Sequence, residues 1–319
     1  MSNANPRIEH RRRSGASPCS SLGFLLLSLL VGCTPSVEPA VEVEGPYVGP
    51  TMMPAVVVAT LRKRAEALPT LWARGTFEAE FVSADRTDFV NGSLTVLHRK
   101  PGDLRVLGDK AGTRVFDLGL NDDTYWALVK GNTDTYWYGD LANVDEVDRF
   151  TLPVRPDQLA DVLGIAGFDA DLLAEPFPVV TFNPDDDAYM ITWHERRDDV
   201  PGGPMVVAVR EVWYDRTTLL PKFVHVFDRD GRIVVRGDLS AFDEVAGGGG
   251  VLLARRYDLF FPETGTTMDL RLETLQLRKG RVPGRATFVP PDPERPGVGN
   301  VVDLDAQAVG QAAGQAGGG

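Results

Sequence analysis

The chain has 319 residues, 43 % hydrophobic and 24 % charged, enough to bury a substantial core and to exclude wholesale disorder. Its formal charge of −12 speaks against nucleic acid as a partner, because a phosphate backbone needs a basic face. Two cysteines and four histidines leave little room for a Cys/His zinc site, while 33 glycines and 23 prolines point to many turns.

The N-terminus reads as an export signal. Arg11, Arg12 and Arg13 form a basic head, and Leu22 to Val31 is an apolar run too short to span a bilayer as a mature helix. The run ends in Leu30-Val31-Gly32-Cys33, which looks like a lipobox: small residues precede a cysteine that is diacylated and becomes the new N-terminus. The alternative is an ordinary signal peptide with a chance cysteine. In the first reading residues 1–32 are removed, Cys19 leaves with them, and Cys33 is the single mature cysteine and the lipidation site. Acyl chains there would hold the protein to a membrane. Residues 33–53 carry Pro35, Pro39, Gly45, Pro46, Gly49 and Pro50 and read as a tether.

The expected folded domain spans 54–291. Pro54 to Leu68 is a helix by the spacing of Val57, Leu61, Ala65 and Leu68, with Pro54 suited to a first helical position and Pro69 as its stop. Strand patterns follow. Thr76–Ser83 sets Phe77, Ala79 and Phe81 on one face and Glu78 and Glu80 on the other. Ser93–Arg99, Leu104–Gly108, Thr113–Leu118, Tyr125–Lys130 and Thr135–Gly139 continue the series, most of them separated by turn residues such as Asn91-Gly92 and Pro101-Gly102. A second helix is expected within Arg155–Ile165, on Leu159, Val162 and Leu163. Seven more strands are read: Val179–Phe182, Ala188–Arg196, Met205–Tyr214, Pro221–Phe227, Ile233–Ala241, Val251–Phe261 and Met268–Arg278. The tail 292–319 is rich in Pro, Gly, Ala and Gln and reads as low-complexity and disordered.

Strands do not alternate with helices here, so a parallel doubly wound sheet is excluded. The class is mainly β, of α+β type: one large curved antiparallel sheet, curled into a half-open barrel because a sheet of this size does not stay flat. Two helices over the concave face would form a lid, and a lidded apolar concavity is a binding pocket by default.

Four segments resemble the LolA/LolB-type lipoprotein carriers and receptors of outer-membrane lipoprotein sorting. They are Gly92-Ser93-Leu94-Thr95-Val96-Leu97-His98-Arg99-Lys100-Pro101-Gly102-Asp103-Leu104-Arg105, the strand Thr124-Tyr125-Trp126, the hairpin Asp228-Arg229-Asp230-Gly231-Arg232-Ile233, and Phe288-Val289-Pro290-Pro291. Their order spans most of 54–291, and this chain would be a lipidated member. The resemblance implies an unclosed barrel with helices over one opening, whose apolar lining takes up acyl chains of lipoproteins or another amphiphile without covalent chemistry. It also implies a contact from Arg99 or Lys100 to the lid, and a place at the outer membrane facing the periplasm, with an envelope protein as a further partner.

Phe77, Phe81, Leu94, Val96 and Leu104 occupy alternate positions on three successive strands and should share the concave face, while Glu78, Glu80, Thr95 and Arg105 face water. These five and Trp126 are the expected hydrophobic-ligand pocket. The aromatic cluster of Tyr125, Trp126, Tyr136, Trp137 and Tyr138 reads either as core packing or as lipid contact. Catalytic patterns are weak. His98, His194 and His225 stand in no Ser/His/Asp arrangement, and there is no Gly-x-Ser-x-Gly elbow or zincin signature. Asp185-Asp186-Asp187 and Asp228-x-Asp230-Gly231 lack the later calcium ligands. No enzyme activity, metal or cofactor is expected. The alternative to a carrier is a structural or protein-interaction lipoprotein of the envelope whose barrel is filled by its own side chains.

Overall fold

A computed structural model describes residues 45–83, 86–130, 134–146, 152, 154–165, 171–198, 203–277, 283–292 and 299–306. The expected signal and Cys33 lie outside them, as do 307–319. One 14-stranded sheet dominates. Its strands are β1 (Thr70–Ser83), β2 (Arg86–Arg99), β3 (Asp103–Lys110), β4 (Thr113–Leu120), β5 (Thr124–Val129), β6 (Thr135–Asp140), β7 (Phe177–Asn183), β8 (Ala188–Arg197), β9 (Met205–Asp215), β10 (Pro221–Phe227), β11 (Ile233–Glu244), β12 (Leu252–Phe261), β13 (Thr266–Gln276) and β14 (Asn300–Asp303). Helices α1 (Pro54–Glu66) and α2 (Pro156–Val162) complete it.

The strand order is β14-β6-β5-β4-β3-β2-β1-β13-β12-β11-β10-β9-β8-β7. Two antiparallel meanders, β1–β6 and β7–β13, therefore form two arms that meet where β1 pairs with β13. Short turns between successive strands favour this local pairing. The two ends of the strand order do not pair with each other, so the curved sheet stays unclosed. The expected class holds: a curved, mainly antiparallel sheet with few helices.

Alternation decides which side chains enter the concavity. On β1, Leu71, Ala73, Phe77 and Ala79 are buried while Glu78 and Glu80 are exposed. One continuous core cluster runs through both arms and takes in Val57 and Leu61 of α1 and Leu159 and Val162 of α2. Helix α2 packs against β4 and β5 of one arm and β10 and β11 of the other, so it sits inside the curl. Gly237 on β11 makes its seat: a Cβ there would lie 2.5 Å from the Val162 side chain.

Helix α1 starts on Pro54 and carries Lys63 and Arg64 in its last turn, where cations suit the helix dipole. Its C-terminal half is tied to both arms. Lys100, just after β2, donates from Nζ to the Ala65 carbonyl at 2.6 Å. Arg64 reaches the β9–β10 turn, donating to the Leu219 and Thr218 carbonyls at 2.8 and 2.7 Å.

Both boundaries of the expected domain move outward. At the N-terminal side, residues assigned to the tether dock on the sheet: Tyr47 donates its backbone N–H to the Pro184 carbonyl at 2.8 Å and stands edge-on to Phe182. At the other end, the expected disordered tail from 292 is corrected. Asn300–Asp303 form β14, paired in parallel with β6, and Leu304 is fully buried. Asp305 accepts the Asp140 backbone N–H at 2.8 Å. Four strand residues cannot bury an apolar face alone; they are held by the unpaired edge of β6, a long-range partner that composition does not reveal.

Candidate functional site

Beneath the two helices, against the β8–β12 arm, lies a cavity of about 90 Å³. Its wall is mostly apolar. Leu61 and Leu68 close it from the α1 side and Leu163 from α2, while Val212, Val224 and Leu239 form part of the sheet floor. Four aromatic side chains frame it: Trp193, Tyr214, Phe242 and Tyr257. Tyr257 is buried and donates its hydroxyl to the Leu163 carbonyl at 3.4 Å, tying the end of α2 to β12. Burial pushes the Tyr257 phenol up and the Tyr214 phenol to about 12, so both stay neutral at ordinary pH.

Three charged residues also line this cavity: Arg64, Asp161 and Arg210. Arg210 belongs to the inward face of β9, in step with Val212 and Tyr214. Its guanidinium lies over the Trp193 ring at 3.9 Å, and its Nη1 donates to Asp161 Oδ1 on α2. Arg210 Nε is buried without a hydrogen-bond acceptor. Burial pushes the Asp161 carboxyl up, and the arginine beside it pulls the other way. The Arg210 side chain is 10 % exposed and that of Asp161 30 %, so the pair is partly screened by water and contributes position more than stability.

The expected pocket residues are placed elsewhere. Phe77, Leu94, Val96 and Leu104 are fully buried on the concave face of β1–β3, and Phe81 is half-buried against the same cluster. The Phe77 ring meets Phe116 at 4.8 Å, close to edge-on. None of the five lines the cavity. All five belong to, or pack against, the core cluster that faces the helices, and the cavity described above lies against the other arm.

Trp126 is corrected also. On β5, Tyr125 and Ala127 enter the concave core, so the residue between them faces outward. Trp126 forms a separate buried cluster with Leu128 and Tyr136 on the opposite face. Its Nε1 donates to Asp117 at 3.1 Å, and Asp117 holds Arg105 through two hydrogen bonds of 3.0 and 2.6 Å. Gly119 leaves room for the indole, since a Cβ there would lie 2.1 Å from the ring. The segment Arg285–Phe288 covers this outer face: Arg105 donates to the Thr287 carbonyl at 2.7 Å, and Arg99 lies over Phe288 at 5.2 Å. Of the two expected lid contacts, Lys100 reaches α1, and Arg99 turns outward to Asp103 and the Pro283 carbonyl.

A second, open concavity of about 400 Å³ lies around Glu78, Asp269, Asp258 and Asp238, which face one another in a row across β1, β13, β12 and β11. Arg256 bridges Asp258 and Asp269 at 3.1 and 3.2 Å, and Arg271 joins Asp269 at 3.1 Å. Among the described residues no group of three or more His, Cys, Asp or Glu is arranged to hold a metal ion. Nor is any described helix long and apolar enough to cross a membrane.

The sequence reading missed Arg64, Asp161 and Arg210. A signal for one was present: counting back by twos from Tyr214 and Val212 reaches Arg210, an arginine in an inward register.

The architecture defines a class: an unclosed antiparallel barrel with helices seated in its concavity. No family model matches the chain, and no curated protein matches it. Solved structures are similar in fold. A domain described as that of an outer membrane lipoprotein-sorting protein, from Vibrio parahaemolyticus, is 12 % identical, with 70 % of this chain and 92 % of that one covered and a TM-score of 0.46. A LolA superfamily protein from Nitrosomonas europaea is 15 % identical, with 73 % and 97 % covered and a TM-score of 0.45. A DUF1329 family protein from Desulfovibrio piger is 10 % identical, with 74 % and 98 % covered and a TM-score of 0.47.

Proposed function

We propose that this protein is a membrane-anchored lipoprotein that binds the acyl chain of an amphiphile between its two helices and the β8–β12 arm, without catalysis. The observation that carries this reading is the apolar cavity closed by α1 and α2. Burying a chain there is driven by the hydrophobic effect, about 0.8 kcal/mol for each methylene removed from water. Ligand sites commonly enclose about 300–1,000 Å³. The cavity of about 90 Å³ falls below that range, so on this reading the helices shift outward to admit a chain.

Anchoring through acylated Cys33 would keep the domain at the cell envelope, on the outer membrane facing the periplasm. Amphiphiles extracted from or delivered to that surface, the acyl chains of lipoproteins among them, would be the cargo, and an envelope protein would be the donor or acceptor. The second reading is an envelope structural or interaction lipoprotein with a filled interior. The packed β1–β6 arm, where Phe77 and Phe116 meet edge-on, favours it.

Nile red, a neutral dye that brightens in apolar surroundings, separates the two. The carrier reading expects saturable brightening with the wild-type protein, and a several-fold loss in Leu239→Trp, which fills the floor of the cavity. No saturable brightening, or equal brightening in a folded Leu239→Trp variant, supports the filled interior instead.

A further inference from the structure

The cavity has a polarity that an acyl chain does not explain. Its charged lining is two arginines against one aspartate, a local excess of positive charge in a chain whose formal charge is −12. Arg210 is about nine-tenths buried, yet its Nε has no acceptor. Buried donors are almost always satisfied, and one left without a partner calls for a reason. Its other edge is occupied: Nη1 holds Asp161, and the guanidinium plane is fixed against Trp193 at 3.9 Å. What remains is a donor packed within the cavity wall and covered in this closed form.

Arginine is the side chain suited to such a place. It stays charged when buried, and its planar fork matches a carboxylate. Stacking on Trp193 pre-organises the fork, so little rotamer freedom is lost when an anion arrives.

We propose that Arg210 is the head-group anchor of this cavity, and that the ligand is a single alkyl chain ending in a carboxylate, with the carboxylate on the free Nε edge and the chain among Leu61, Val212, Val224 and Leu239. This rests on the carrier reading above and deepens it. Asp161 is then the internal competitor. It neutralises Arg210 in the closed form and ties α2 to the sheet through that contact. An incoming carboxylate shares the guanidinium with it and weakens that tie, which is the direction the helix must move for the cavity to grow.

The test uses the purified full-length protein and displacement of Nile red by palmitate or by its methyl ester, which has the same chain without the charge. The wild type should prefer palmitate by about tenfold, the discrimination expected from one charge-assisted hydrogen bond. Arg210→Gln should erase the preference, read as the ratio of acid to ester affinity within the same variant. Asp161→Asn should raise palmitate affinity several-fold, because the competing anion is gone. The double variant Arg210→Gln/Asp161→Asn replaces the ion pair with two neutral amides, so an unpaired buried charge in the single variant does not decide the result. Melting curves establish that each is folded. A preference that persists in the folded double variant, or a wild type that takes acid and ester equally, overturns the anchor and assigns Nε to a water molecule. If neither compound displaces the dye although the dye binds, the carboxylate-chain ligand is refuted. If the dye itself does not bind, the carrier reading fails first.

Discussion

The two arms of the sheet have the same construction and different interiors. Strands β1–β6 turn Phe77, Leu94, Val96, Leu104 and Phe116 into the curl, where they pack in the core cluster. Strands β8–β12 turn in Trp193, Arg210, Val212 and Leu239 and keep a space beneath the helices. Alternation dictates in both cases which residues enter; the volume they fill is decided by their size and by where the helices sit. Helix α2 touches both arms, but its Asp161 and the residues after it, Leu163 and Gly164, line only the space over the second. On the proposed function, one arm is a wall and the other the receptor face.

Removing a side chain from the wall tests that division most severely. Phe77→Ala takes a fully buried ring from its contact with Phe116. It should cost about 3–5 kcal/mol of stability, the usual loss for a buried phenylalanine. Dye binding in the second arm should be unchanged at temperatures where the variant is folded. Urea unfolding followed by tryptophan fluorescence measures the first, and titration with Nile red the second. A large loss of dye binding in folded Phe77→Ala would show that the arms share one ligand space.

How much of this was legible in the sequence depends on distance. Strand patterns are local, and Pro221–Phe227 stands with the bounds read from its alternation. The strand expected at Thr76 begins at Thr70, because Gly75 interrupts a pattern in which Leu71 and Ala73 already face inward. Partners far along the chain are not local: β14 is a strand because β6 offers an edge, and Trp126 is outward because Tyr125 and Ala127 are inward. The position of the cavity depends on how the sheet curls around α2, which no periodicity encodes. The lid contact from Lys100 came from family resemblance, and the ion pair in the cavity wall was seen only once α2 was set against β9.

A pH experiment sharpens the picture of the wall at the α1 end. His98 is buried between Leu71 and Leu104, and its Nδ1–H donates to the Asp103 carbonyl at 2.9 Å. Its Nε2 is buried without a partner. Burial lowers its pKa from 6.5 to about 4; the Asp103 carbonyl opposes this and the charge of Lys100 adds to it. The unfolded chain takes up a proton near pH 6.5, and the folded chain does so only near pH 4. Stability should thus fall by about 3 kcal/mol as the pH drops through that window, and this contribution should be flat above about pH 7. His98→Asn keeps a donor for Asp103 but no titrating group, so its stability should lose that slope. Equal slopes in wild type and variant would show that His98 is reached by water in the folded state.

The smallest effect concerns the join between the arms. Helix α1 is held from the wall by Lys100 on the Ala65 carbonyl and from the receptor arm by Arg64 on the β9–β10 turn. Burial lowers the Lys100 pKa, and the charge of Glu66 opposes this. Lys100→Met keeps the aliphatic stem over the helix end and removes only the donor. The Ala65 carbonyl can turn to water, so the stability loss should be about 1 kcal/mol. Kinetics should respond more than stability does. With one of its two ties gone, the end of α1 opens more often, and stopped-flow Nile red binding should become several-fold faster at nearly constant affinity. That outcome makes the wall arm a brace for the lid and the second arm its binding face. An unchanged association rate would mean that ligand enters without α1 moving, leaving α2 and its aspartate as the element that opens.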